Sequence, residues 1–157
     1  MYVISPMDLN AACHIAKWEY EDIYAVYSFK ENEETIKELL NGDYYMAHNN
    51  QNEIIGYYCF GKSAQIPVKQ TEAYTSCFLD IGFGMRPDLC GKGLGYDFLK
   101  SGIEYSINHF NAKKYRLTVA TFNKRAIALY NKIGFKKVNT VQHLISNNKF
   151  EIMVLQE

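Results

Sequence analysis

The chain has 157 residues, with 17 basic and 17 acidic side chains and so no net formal charge; 48% of it is hydrophobic and 22% charged. Those values suit one soluble globular domain with a substantial core, expected to span residues 1–157. They exclude a bulk electrostatic attraction to nucleic acid or to an anionic membrane, and neither is expected as a partner. The opening "MYVISPMDLNAACHIAKW" has no basic stretch followed by an apolar one, and no apolar run approaches membrane length. Cys13, Cys59, Cys77 and Cys90 lie far apart, with no CxxC pair and no histidine spacing suited to zinc. They read as reduced thiols of a cytoplasmic protein, and no metal is expected.

In chain order, "YVI" is a short first strand. Ser5 then suits an N-cap, with Pro6 at the first helical position and Asp8 in the first turn. Leu9, Ala12, Cys13 and Ala16 recur at helical spacing. A second helix, "EETIKELL", follows Asn32 and stops before Gly42, which suits a left-handed cap. "YYMAH", "NNQN" and "EIIGYYCFG" read as strand, turn and strand, and "SAQIPVKQTEAY" as a loop. "TSCFLDIGFGM" alternates, placing Leu79, Ile81, Phe83 and Met85 on one face. A glycine-rich stretch leads to a helix lined by Phe98, Leu99, Gly102, Ile103, Ser106 and Phe110. "YRLTVA" is a strand; Asn123 caps a helix with inner face Ala126, Leu129, Tyr130 and Ile133, ended by Gly134. "FKKVNTVQHLI" and "KFEIMVL" form a closing hairpin around "SNNK". The order predicts an α+β fold, a mixed and mostly antiparallel sheet of about seven strands with four helices on its faces.

The stretch "CGKGLGYDF", Cys90 to Phe98, carries the chemistry. Glycines between a strand and a helix leave main-chain N–H groups uncovered at a helix N-terminus, a natural anion site. A Walker A loop fails, because Lys92 is followed by Gly93 rather than by Ser or Thr after a Gly-Lys pair. A dinucleotide fingerprint fails, because position 96 is tyrosine and the loop lies past the middle of the chain. A pyrophosphate loop of an acyl-CoA enzyme fits; a merely tight strand-to-helix turn is the bland alternative.

Further along stands "NKRAIALYNKIGF", Asn123 to Phe135. Together, "MRPDLCGKGLG" and "NKRAIALYNKIGF" resemble the two signature segments of the GNAT superfamily of acyl-CoA-dependent N-acetyltransferases. The first is similar to its R/Q-x-x-G-x-G/A motif and the second to its N-x-x-A-x-x-L-Y-x-x-x-G-F segment. The order of elements is similar too, so the resemblance covers essentially the whole chain. It implies acetyl-CoA as acyl donor, a small-molecule or peptide amine as acceptor, and strands four and five splayed apart. It implies that the backbone of Phe83, Gly84 and Met85 binds the pantetheine arm, and that the amides of Cys90, Gly91, Lys92, Gly93, Leu94 and Gly95 hold the pyrophosphate. It places Asn123 at the cofactor's arm and makes Tyr130 the general acid to the departing thiolate. Read from its spacing alone, Tyr130 is equally a core residue on the face of Ala126 and Leu129.

Three departures from the family pattern stand out. Cys90 replaces the usual arginine or glutamine, and reads as a packed cysteine more readily than as a reactive one. Thr118 and Leu79 occupy the two places where relatives carry a glutamate base, and neither can act as one. Asp80 adjoins the second, and is the expected base if a bulge turns it outward. Trp18, Tyr20 and Tyr24, interleaved with Glu19, Glu21 and Asp22, are expected to wall the acceptor site; aromatic faces with carboxylates suit a cationic amine. The expected activity is acetyl transfer to a primary amine by direct attack, in a monomer or homodimer. The alternative is an acyl-CoA sensor without turnover.

Overall fold

The computed structural model describes residues 2–75 and 77–156. Seven strands form a sheet in the order β1-β2-β3-β4-β5-β7-β6: β1 (Val3–Pro6), β2 (Tyr44–His48), β3 (Ile54–Phe60), β4 (Leu79–Met85), β5 (Lys114–Ala120), β6 (Lys136–Gln142) and β7 (Lys149–Gln156). Four α-helices intervene: α1 (Leu9–Ala16), α2 (Glu33–Leu39), α3 (Gly95–Phe110) and α4 (Lys124–Ile133). Short 3₁₀ turns occupy Asp22–Tyr27, Gly61–Ala64 and Pro87–Leu89. The fold is mixed α+β and mostly antiparallel. β4 and β5 are parallel, in register at Leu79–Tyr115 and Asp80–Arg116.

The start of α1 differs from the expected one. Ser5 and Pro6 belong to β1, where Pro6 pairs with Tyr45. β1 is an edge strand, where a missing N–H is harmless. Asp8 is the N-cap, its carboxylate accepting from Ala11 N at 2.8 Å, and the helix begins at Leu9. The caps at Asn32, Asn123 and Gly134 fall where the residues suggest, whereas α2 ends with Leu40 as its C-cap and the left-handed Gly42 (φ 99°) lies two residues beyond. Asn32 accepts from Thr35 N at 2.9 Å, Asn123 from Ala126 N at 3.1 Å, and Gly134 ends α4 with φ 120°. Phe110, expected on the inner face of α3, is 40% exposed and leans its ring on Phe60.

The chain divides into two compact units, Met1–Cys59 with Phe83–Gly102 and Phe60–Gly82 with Ile103–Glu157. In the first, α3 packs on β3 through Tyr58 and Phe98, whose rings stack at 4.5 Å; the Tyr58 hydroxyl donates to the Phe98 carbonyl. The approach is close enough that a Cβ on Gly102 would strike the Tyr58 ring. Gly102→Val should therefore destabilise by about 1–3 kcal/mol through overpacking. Thermal unfolding checks this, at roughly 2–4 °C per kcal/mol for a chain of this size.

In the second unit Tyr115, Leu117, Val119, Ile152, Met153 and Phe135 form the core. The Tyr115 hydroxyl meets Ser106 Oγ of α3 at 2.9 Å. The long segment between β3 and β4 is tied down at its middle. Val68 bridges to His143, Lys69 N donates to the Gln142 carbonyl at 3.0 Å, and Leu144 N donates to the Pro67 carbonyl at 2.9 Å.

Candidate active site

In the first unit, β4 runs into the turn Pro87–Leu89, then into Gly91 and Gly93, both left-handed with φ 74° and 76°. Only glycine takes that conformation without strain, and Gly93 needs it for the backbone alone, since a Cβ there would meet nothing within 4 Å. Gly95 then opens a helix of 16 residues. Phe98 N is bonded back to the Leu94 carbonyl at 3.1 Å, so the amides of residues 95–97 lie in the first turn, where a helix offers them no internal acceptor. Gly91, Lys92 and Gly93 are exposed, and Leu94 and Gly95 half-buried. The arrangement suits a multiply charged anion such as a diphosphate.

The loop is braced from its N-terminal side. Arg86 N donates to the Ile55 carbonyl at 2.8 Å, and the Arg86 guanidinium makes two bonds to Asp88, at 2.6 and 3.1 Å. Those bonds hold the Asp88 carboxyl below its ordinary range. A depressed carboxyl contributes stability above its unfolded pKa, about 3.9, and loses it as pH falls through the lower folded value. Asp88 is exposed, so Asp88→Asn should cost about 0.5 kcal/mol or less at neutral pH and nothing measurable in strong acid; denaturant unfolding at both pH values checks it.

Cys90 is a packed thiol. Its Sγ points back at the Met85 and Arg86 carbonyls, at 3.8 and 3.7 Å. The Met85 carbonyl also accepts the Tyr20 hydroxyl at 2.6 Å. The Met85 carbonyl at the end of β4 is thus shared by the Cys90 thiol and the Tyr20 hydroxyl. Tyr20 and Trp18, expected to wall an acceptor site, are half-buried and take part in the packing of the first unit. Trp18, Phe29 and Tyr44 surround the Tyr57 ring at 6.4, 5.7 and 6.1 Å, and that ring lies where a Cβ of Gly84 would stand. Burial raises the Tyr20 and Tyr57 phenols above their ordinary value, so both stay protonated. Tyr24 stacks on Tyr27, among the exposed Glu19, Glu21 and Asp22.

The second unit holds the other expected residues. Asp80 does not turn outward as a base. It is 3% exposed and bonded twice to Arg116, Nε to Oδ1 at 2.6 Å and Nη2 to Oδ2 at 2.7 Å, with Gln65 Nε2 donating to Oδ2 at 2.8 Å. The same guanidinium donates to the Thr75 carbonyl at 2.7 Å and lies against the rings of Tyr74 and Phe78. The Tyr74 hydroxyl lies 2.7 Å from Thr118 Oγ1 and accepts from Ile66 N at 3.3 Å. Burial nonetheless raises the Tyr74 phenol. Asn123 Oδ1 serves as the N-cap of α4. Tyr130 is half-buried on α4, its ring edge-on to Phe135 at 6.1 Å.

Gln65, Tyr74 and Arg116 escape a reading by motifs. A signal was present: Asp80 interrupts an otherwise apolar strand and Arg116 stands between Tyr115 and Leu117 inside another, and charges so placed need each other. Among the described residues no group of three or more His, Cys, Asp or Glu side chains could hold a metal ion, and no helix is long and apolar enough to cross a membrane.

The described residues thus combine a mixed sheet, a parallel β4–β5 pair and a glycine loop that opens the helix between them. The model of the acetyltransferase (GNAT) family matches residues 9–135, and the chain belongs to that family. Among solved structures, a GNAT-family acetyltransferase from Bacillus anthracis superposes with a TM-score of 0.75 at 14% identity, over 99% of this chain and 94% of that one. A chimera of spermidine N-acetyltransferase SpeG from Vibrio cholerae and hSSAT gives 0.70 at 19% identity, over 99% and 95%. The Vibrio cholerae spermidine/spermine N-acetyltransferase SpeG in complex with manganese ions gives 0.69 at 17%, over 99% and 92%. No curated protein matches the sequence.

Proposed function

We propose that this chain moves an acetyl group from acetyl-CoA to a primary amine by direct attack, without an acyl-enzyme. The observation that carries the reading is the loop Cys90–Gly95, in which two left-handed glycines lead from β4 into a helix of 16 residues. The amides of the loop would hold the diphosphate, Lys92 would stand beside it as an exposed cation, and the main chain of Phe83 and Gly84 would take the arm like an added strand. Such pairing follows from the expected splay of β4 and β5 beyond Asp80. Asn123 would reach the arm from the start of α4.

The thioester brings an acyl carbon already activated, so the protein has mainly to align the amine, remove its proton and receive the thiolate. An alkylamine with a pKa near 10.4 costs roughly 4–5 kcal/mol to neutralise at pH 7. Tyr130 would protonate the departing sulfur: a phenol near pKa 10 is a competent donor to a thiolate near 8.5. Tyr24, with Glu19, Glu21 and Asp22 exposed around it, would offer aromatic and anionic surface to a cationic acceptor. The polyamines named for the structural neighbours are members of that class. The cytoplasm is the proposed compartment and a monomer or homodimer the proposed state.

Calorimetric titration with acetyl-CoA, with ATP as control, tests the first half. Saturable binding with ATP silent supports the reading, and a panel of amines including spermidine, read by thiol release, then identifies the acceptor. Absence of acetyl-CoA binding at millimolar concentration by two methods would overturn it.

A further inference from the structure

The proposed reaction needs a route for the amine's proton, and Asp80 cannot supply it while it is sealed against Arg116 and Gln65. A different pair of groups is present in the same unit. Tyr74 and Thr118 are both half-buried, with hydroxyl oxygens 2.7 Å apart. Between them they carry two hydroxyl protons. One lies in the bond they share and Ile66 N–H fills one lone pair on Tyr74, which leaves one O–H donor and lone pairs on Thr118 still to be used. A pair that can accept and donate at once can pass a proton without changing its own charge.

Its place in the fold is right for that task. On β5, Tyr115, Leu117 and Val119 project to one face, and Arg116, Thr118 and Ala120 to the other. The first face carries α3, through Tyr115 and Ser106. It also carries the end of α4: Leu155, paired with Tyr115, has its Cδ1 3.3 Å from where a Gly134 Cβ would be. Tyr130 precedes Gly134 by one turn. The Tyr74–Thr118 pair is on the opposite face, under the segment between β3 and β4. An attacking amine and a departing thiolate need separate proton partners, and the face of β5 that carries Thr118 is not the one that carries the end of α4.

We propose that Tyr74 and Thr118 form the relay that removes the acceptor amine's proton, held in place by Arg116. The proposal rests on the acetyltransferase reading above. In the step, one ammonium proton moves to a hydroxyl oxygen of the pair while the pair's other O–H proton leaves to water. The neutral nitrogen then forms the N–C bond as the C–S bond breaks, and the nitrogen's surplus proton is balanced by protonation of the thiolate. One proton per turnover reaches solvent, and the pair ends as it began. The charged groups facing the pair are Arg116, which lies over the Tyr74 ring and favours its ionised form, and Asp80, which opposes it.

The test compares Tyr74→Phe, Thr118→Val and Thr118→Ser with the unaltered protein, by kcat/KM across pH, for one amine of pKa near 10 and one near 8. Loss of the relay should lower kcat/KM at pH 7 by about 10²-fold for the more basic amine. The deficit should shrink as pH rises and be smaller for the weaker base, because more of each amine is already neutral. Thr118→Ser should retain activity, and acetyl-CoA affinity should stay unchanged in all three. Activity near the unaltered level in Tyr74→Phe and Thr118→Val overturns the relay. So does a loss equal at every pH and for both amines, the mark of a merely structural role. An unaltered protein that binds acetyl-CoA but acetylates no amine would overturn the proposed function, and the relay with it.

Discussion

Truncating Asp80 to alanine is expected to destabilise the fold by about 3–5 kcal/mol, because it leaves the Arg116 guanidinium buried without its counter-ion. Both side chains are about nine-tenths or more buried, and the guanidinium holds three acceptors, two on Asp80 and the Thr75 carbonyl. At roughly 2–4 °C per kcal/mol, the loss should appear as a fall in Tm of about 6 °C or more. Arg116→Met is the informative companion. The carboxyl it strands can take up a proton and become neutral, whereas a guanidinium cannot discharge. The Arg116→Met deficit should therefore be the smaller of the two. A double variant, Asp80→Leu with Arg116→Met, should recover much of the stability lost by either single change, since no buried charge remains. Equal, small and additive losses in all three would mean that water reaches the pair and that it does not organise the segment between β3 and β4.

The contrast between Asp80 and the glycine loop shows which parts of this protein can be read from residues alone. The loop, the two asparagine caps and Gly134 are local devices. Each is decided by φ or by a bond to a residue three or four positions away, so the sequence carries its own test of them. The succession of strands and helices along the chain followed in the same way from alternation, helical spacing and turn chemistry. Ser5 and Pro6 misled because an N-cap candidate was judged without the edge strand that claims both residues. Asp80 was misplaced for a deeper reason, and the contacts of Tyr20 and Trp18 went unread for the same one. Their contacts lie 36, 65 and 39 positions away, at Arg116, Met85 and Tyr57; a lone charge inside each of two strands hints at the first pairing, and no local pattern announces the other two. Tyr74 lay in a stretch that reads as plain loop, yet its hydroxyl is fixed by Thr118, 44 positions on.

Replacing Tyr130 by phenylalanine should lower kcat by about 10²-fold or more, with acetyl-CoA affinity unchanged. The substitution removes the hydroxyl and keeps the ring with its edge-on contact to Phe135, and Asn123 and Gly134 still fix the length and register of α4. Stability should accordingly move by less than about 1 kcal/mol, so a lost rate cannot be charged to a lost fold. The role of acid makes a second, sharper demand. Acyl donors whose thiols leave more easily depend less on protonation, so the deficit of Tyr130→Phe should narrow with them, following Brønsted behaviour. A core tyrosine would show no such dependence. The two proton sites should also separate by substrate, with Tyr130→Phe answering to the leaving thiol and Tyr74→Phe to the basicity of the amine. A kcat unchanged in Tyr130→Phe for every donor would assign the thiolate's proton to water and leave Tyr130 a packing residue. A deficit in Tyr130→Phe that tracks the amine's pKa would place this hydroxyl, rather than the Thr118 pair, on the route of the amine's proton.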